Sequence, residues 1–240
     1  MVANHMKRLT AARTWPIMRK ERVFVAKSDP GPHSLDKSVP LVVALRDMLH
    51  LAENAREVKY LINNDSVYVN GKKSKSYKLP VGLFDCVSFP SVDKYYRMTL
   101  NRKGKLAFVE IDKKESNKFI FQVTGKRLLS GARVQLNLNS GMNIILPYKE
   151  HKKYALGQSL LTTYPPLEIV EVLPIKEKAK VFVLSGRHLG KIAEIKEVHA
   201  NGKEVILEEA GETFQVKTKS FIVVGMDKPV IKLSQSDKNG

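Results

Sequence analysis

Apolar positions recur along the first third of the chain at two different periods. Leu41, Ala44, Leu45, Met48 and Leu49 fall at i, i+3, i+4, i+7 and i+8, which is one face of a helix over residues 41–51. Pro40 sits just before it, where a missing N–H does little harm. Ala55, Val58 and Ile62 line the inner face of a second helix, predicted from Ala55 to Asn63. Asn54 is placed to cap it, with Glu57 three residues on to complete the cap. The period then drops to two. Val67 and Val69 alternate with Tyr68, and Asn70-Gly71 is the two-residue hairpin signal in which both residues take φ > 0. A strand from Cys86 to Phe89 follows VGLFD. Residues 41–92 therefore read as helix, helix, hairpin, strand.

From residue 93 the pattern is short strands at turn-separated intervals. Candidates are Tyr96–Leu100, Leu106–Ile111, Phe119–Val123, Arg133–Leu138, Asn143–Leu146, Ser159–Thr163 and Ile169–Leu173. Lys103-Gly104, Thr124-Gly125, Ser130-Gly131 and Ser140-Gly141 are the predicted turns. A second β unit runs from 176 to 226. Its strands flank a glycine loop, Gly186 to Gly190, and continue after Asn201-Gly202 through Val205–Leu207, Phe214–Val216 and Phe221–Val224. Residues 1–40 lack sustained periodicity and are predicted to be an extended basic arm; 227–240 read as a polar tail. The expected class is α+β, mostly β: arm (1–40), helix-and-hairpin module (41–92), central β domain (93–175), small barrel (176–226) and tail (227–240).

Charge changes the picture. The chain has 240 residues with 41 Lys and Arg against 24 Asp and Glu, a net charge of +17. A fold does not need that imbalance, which costs self-repulsion; an anionic partner compensates it, nucleic acid before a membrane surface. No apolar run approaches the ~20 residues of a membrane span, and the N-terminal stretch lacks the apolar segment of a secretory signal. One cysteine, Cys86, excludes an intramolecular disulfide and a multi-thiolate zinc site; among Phe84, Val87 and Phe89 it reads as a buried hydrophobe. These features fit a cytoplasmic protein.

The candidate RNA-binding residues are cations. In the arm they are Lys7, Arg8, Arg13, Arg19, Lys20 and Arg22, with Trp15 among them to pack or stack. In the module they are Arg46, Arg56, Lys59, Lys72, Lys73, Lys75 and Lys78, of which all but Arg46 meet on one side if the helices pack against the hairpin. Arg102 and Lys103 occupy a turn, and Lys126 and Arg127 a second basic cluster. Arg187, His188 and Lys191 sit in or beside the glycine loop, suited to a polyanion or to another protein. Phosphate contacts of this kind give salt-dependent affinity, and A-form RNA favours backbone and shape contacts over base reading. No catalytic residue, metal site or cofactor is predicted. The six histidines include no i, i+4 pair, the P-loop and nucleophile-elbow motifs do not occur, and carboxylates such as Glu208 and Glu209 read as solvated strand residues.

Several motifs, taken in order, resemble known families. Val67, Val69, Asn70, Gly71 and Lys72, then Gly82 and Asp85, resemble the VNGK and G-x-x-D signatures of the S-four-type RNA-binding module. The 178–196 stretch resembles a KOW motif in an SH3-like barrel. HMKRL, TWPI, SDPGPHSL, KSVPL and VQLNLNSGMNI resemble the small-subunit ribosomal protein family S-four-e (S4e) of archaea and eukaryotes, over roughly residues 4–225 and as an archaeal member. Ser140 and Met142 depart from the Asp and Arg usual there, and Gln158 from Asp. The resemblance implies a structural, non-enzymatic constituent of the small ribosomal subunit. Its partners would be ribosomal RNA and neighbouring ribosomal proteins, with no membrane, no small-molecule substrate and no homo-oligomer. The rival readings are an RNA-modifying enzyme, whose GRLD motif is missing, and a KOW-containing transcription or translation factor.

Overall fold

The computed structural model describes residues 5–64, 66–199, 204–209, 211–226 and 228–233. The chain divides into two units, residues 1–117 with 233–240, and residues 118–232.

In the first unit β1 (His5–Lys7) pairs antiparallel with β2 (Phe24–Ala26), and β3 (Ser38–Pro40) leads into α1 (Leu41–Val43). The helix then widens into π-type turns over Ala44–Met48, with Leu49 N–H donating to Ala44 O at 3.0 Å. The predicted apolar stripe is buried here: Leu41, Ala44 and Leu45 are inaccessible to solvent. α2 (Ala55–Asn63) has the bounds predicted, because its cap forms: Asn54 Oδ1 accepts from Arg56 N at 2.9 Å and Glu57 N at 3.0 Å, and Glu57 reaches back to Glu53 N at 2.8 Å.

Next come β4 (Tyr68–Val69), β5 (Lys72–Lys73), β6 (Pro80–Gly82), β7 (Cys86–Phe89), β8 (Lys94–Leu100) and β9 (Leu106–Ile111). β6 pairs with β3; the others form one antiparallel sheet in the order β5-β4-β7-β8-β9. This pairing carries the sheet across residue 92, where the sequence pattern places a boundary. β8 and β9 are buried along most of their length and share a core with the hairpin, and α3 (Lys113–Ser116) follows β9. Arg97 on β8 is fully buried, its guanidinium donating to Glu115 Oε1 at 2.6 Å and to Glu115 O at 2.8 Å. Burial pushes the Cys86 thiol up to about 12, which leaves it an inert core residue.

The N-terminal segment is not an extended arm. Trp15 is completely buried, and its indole Nε1 donates to Leu35 O at 3.1 Å. Leu106 N donates to Thr14 O at 2.8 Å, and Lys105 Nζ to Arg13 O at 2.6 Å. The largest apolar side chain of the segment has a core to enter, and that outweighs the lack of regular periodicity.

The second unit holds β10 (Lys118–Leu129), β11 (Arg133–Leu138), β12 (Asn143–Pro147), β13 (Ser159–Thr163) and β14 (Glu168–Leu173), ordered β12-β11-β10-β13-β14. Thr124-Gly125, predicted as a turn, is instead a bulge inside β10, where the register on β11 slips between Val123 and Gly125. A second sheet contains β15 (Lys180–Val183), β16 (Ile192–Val198), β17 (Glu204–Glu209), β18 (Glu212–Lys217) and β19 (Phe221–Gly225), ordered β18-β17-β16-β15-β19. Ser159 Oγ accepts from Val223 N at 3.0 Å, and Gln122 Nε2 donates to Gly157 O at 3.0 Å and Phe221 O at 3.2 Å, so buried polar groups join the two sheets. The Asn201-Gly202 turn and the end of the tail lie outside the described residues. Among the described residues, no helix is long and apolar enough to cross a membrane.

Candidate nucleic-acid interface

The hairpin that carries the lysines is set by its turn. Asn70 and Gly71 have φ of 50° and 71°, so β4 and β5 face each other with Val69 opposite Lys72 and Tyr68 opposite Lys73. Val67 and Val69 point into the core, and Lys72 and Lys73 stand exposed on the edge strand of the sheet.

One buried carboxylate holds this hairpin in place. Asp85 is 4% exposed. Its Oδ1 accepts from Asn70 Nδ2 at 2.8 Å, and its Oδ2 accepts from Gly82 N at 2.7 Å. Asn70 Oδ1 in turn accepts from Cys86 N at 2.8 Å. The N-terminal SDPGPHS segment supplies the next partner: His33 Nε2 lies 3.0 Å from Asp85 Oδ2. Gly82 is required beside it, because a Cβ there would collide with the His33 ring. Asp29 fastens the same segment, accepting from Ser76 Oγ at 2.6 Å while its N–H donates to Lys78 O at 3.0 Å. The VNG and G-x-x-D signatures are thus two halves of one hydrogen-bonded hub.

Burial acts most strongly on His33 and opposes its charged form, and Lys37 adds to that. The hydrogen bond and charge of Asp85 outweigh both, so the net shift is upward. A raised folded value means that the pair adds stability fully present below the unfolded value of 6.5 and lost as pH rises through the folded value. The stability advantage of the wild type over His33→Gln is therefore expected to shrink as pH rises above 6.5. Urea unfolding at several pH values checks this; parallel curves for the two proteins would show that the imidazolium form is not favoured.

The predicted cations divide into those turned outward and those turned inward. Arg56 and Lys59 are exposed on α2, opposite Val58 and Ile62. Lys59 Nζ lies 4.6 Å above the Tyr77 ring centroid, and Lys78 Nζ lies 5.7 Å from the same centroid. Tyr77, absent from the sequence-based set, is thus the surface where helix and hairpin cations meet. Lys75 is exposed nearby in sequence, as are Lys7, Arg13, Lys20 and Arg22 in the N-terminal segment. Arg102 and Lys103 are exposed in a turn that Asn101 Oδ1 closes by accepting from Lys103 N at 3.0 Å and Lys105 N at 2.9 Å. Arg187 is exposed in the glycine loop.

Five others are buried or half-buried and engaged within the protein. Arg8 is 2% exposed, donates Nε to Met18 O at 2.5 Å and meets Glu21 at 3.3 Å; it fixes the N-terminal segment. Arg19 donates to Leu9 O and Ala12 O, both at 3.0 Å. Arg46 holds Asp47 through two bonds, of 3.1 and 2.7 Å, and the hydrogen bond to Asp47 leads the causes that raise its pKa. His188 stacks on Phe214 at 3.8 Å between centroids, and Lys191 pairs with Glu209 at 2.7 Å. Burial of a donor near a carbonyl or carboxylate decides this division, and the linear charge pattern does not encode it. Glu208 and Glu209, read as solvated, are half-buried and paired with Lys196 and Lys191.

A strongly basic, β-rich chain with cations displayed over a capped helix and a hairpin edge has the surface of a polyanion-binding protein. The comparisons name the kind. The pattern of the ribosomal family S4e matches residues 92–169, and that of the RS4NT domain matches residues 3–36. The small ribosomal subunit protein eS4 of Methanosphaera stadtmanae is 39% identical over 95% of each chain. That of Nanoarchaeum equitans is 38% identical over 93% of this chain and 96% of the relative. The crystal structure of the 30S ribosomal protein S4e from Thermoplasma acidophilum superposes with a TM-score of 0.67 at 25% identity, covering 79% of this chain and 96% of that one. The chain belongs to the S4e family of ribosomal proteins, as an archaeal-type member; the family is one of ribosomal structural proteins, not of enzymes.

Proposed function

We propose that this chain is a structural constituent of the small ribosomal subunit, residing in the cytoplasm on the ribosome and binding ribosomal RNA. Membership of the S4e family supports the first part. The observation that carries the second is the meeting of Lys59 and Lys78 at Tyr77, next in sequence to the exposed hairpin lysines. Two helices and a hairpin over 41–92 act as an S-four-type module, and the five strands from β15 to β19 as an SH3-like KOW barrel. The N-terminal segment, the helix-hairpin surface and Arg187 then touch RNA backbones at separate places. Such a protein works as one copy among neighbouring ribosomal proteins and takes no small molecule.

Sedimentation tests this reading. The protein is expected to stay with small subunits through a moderate-salt wash, because several separate phosphate contacts must be lost together. A factor that visits the ribosome washes off, and recovery of the chain solely in the soluble fraction would refute the assignment.

A further inference from the structure

The far end of the central sheet carries a surface that the helix-hairpin module does not account for. β10 pairs with β13 only from Lys118 to Gln122, then continues against β11 from Gly125 to Leu129. A 3-10 turn, Tyr148–Lys153, is tied to this three-stranded end: Tyr148 N donates to Ala132 O at 2.9 Å, and Lys126 Nζ donates to His151 O at 2.8 Å. Three residues make one full turn of a 3-10 helix, so side chains three apart superpose. The Tyr148 and His151 rings accordingly stack, with centroids 4.3 Å apart and planes 24° apart. The pair borders a shallow depression of about 160 Å³ that Lys126, Arg127, Leu128 and Val134 complete. Tyr148 is 46% exposed and Leu128 67% exposed, a large apolar opening beside two cations.

Local charge selects the occupant. Residues 118–153 contain seven Lys and Arg and one acid, Glu150, which lies 3.9 Å from Lys153. We propose that this depression holds an unpaired RNA base, stacked on the Tyr148–His151 pair, with its flanking phosphates on Lys126 and Arg127. Both halves of the site suit that ligand: a π-face takes any base, and an ammonium with two protons left after its bond to His151 O meets phosphate oxygens. A base inside a duplex cannot reach the stack, so the site discriminates single strands, bulges and loops from helices. The inference rests on the reading of the chain as an RNA-binding protein.

The test uses the full chain and a ten-nucleotide single-stranded RNA with a central 2-aminopurine, alone or annealed to its complement. Wild type is expected to quench the probe's fluorescence. Tyr148→Ala should abolish the quenching and weaken single-strand binding about 5- to 100-fold, with duplex affinity unchanged, while Tyr148→Phe behaves as wild type. Arg127→Gln, an exposed position, should weaken single-strand binding about threefold or more and decides the matter if Tyr148→Ala fails to fold. Unchanged quenching in Tyr148→Ala, or an equal loss on single strand and duplex, overturns the site. Should wild type bind neither probe, the RNA-binding reading itself falls; should it bind both and the variants match it, only this site does.

Discussion

Replacing Asp85 by alanine is expected to destabilise the N-terminal unit by about 3–5 kcal/mol, the size seen when one partner of a buried charged network is removed. The carboxylate is 4% exposed and accepts from Asn70 Nδ2 and Gly82 N, with His33 Nε2 at 3.0 Å. Without it three polar groups from three segments lose a partner where little water reaches them. The Asn70 side chain also positions Cys86 N, so the turn that presents Lys72 and Lys73 should loosen with the hub. Urea unfolding followed by tryptophan fluorescence reads the correct unit, because Trp15, the single tryptophan, is buried there. An unchanged midpoint would mean that the hub contributes nothing net. Two units need not unfold together, so the fluorescence transition is the quantity to compare.

The second large effect concerns RNA affinity. Changing Arg56, Lys59, Lys72 and Lys73 together to alanine is expected to flatten the slope of log affinity against log salt by about 3, with a loss on the order of 10³-fold at about 0.1 M salt. The four side chains are exposed on α2 and on the edge strand β5. The inward cations provide the contrast. Lys191→Ala breaks an ion pair with Glu209 and Arg46→Ala one with Asp47, and both should leave the salt slope unchanged. Arg8→Ala should lower stability, since its guanidinium holds Met18 O and Glu21. Filter binding at four salt concentrations measures the slopes. Equal slopes for wild type and the quadruple variant would show that these residues meet no phosphates.

Much of the architecture is legible along the chain wherever one face of an element is buried. α2 has its predicted bounds because a capping residue and an apolar stripe agree about where it starts and which way it faces. β11 and β13 match their predicted ranges, and β11 does so with a period-two pattern of buried residues. The misreadings have a common cause. Thr124-Gly125 has the composition of a turn, yet the strand passes through it, since β11 offers a ladder to continue on. The N-terminal segment has no period, yet Arg8 and Trp15 tie it to itself through Met18, Glu21 and Leu35, and Lys105 and Leu106, far along the chain, fasten it at Arg13 O and Thr14 O.

For the candidate interface, the residue types were legible and their commitments were not. Net charge, the VNGK hairpin and the glycine loop mark a polyanion-binding chain, and belonging to the S4e family agrees with that. Whether a given cation faces out depends on which carbonyl or carboxylate the fold brings beside it. His188 looked available in its loop until Phe214, on β18, covered its ring. Tyr77 carried no signal until α2 laid Lys59 over it.

By itself, then, the amino-acid sequence determined the class of elements, most of their limits, the hairpin turn and the excess of positive charge, because these depend on neighbours a few residues away. Tertiary structure alone decided that Asp85, Asn70, Gly82 and His33 form one hub, that β8 and β9 extend the hairpin's sheet, and which cations remain on the surface. Those outcomes rest on contacts between residues distant along the chain, where desolvation and packing, rather than local propensity, set the free energy.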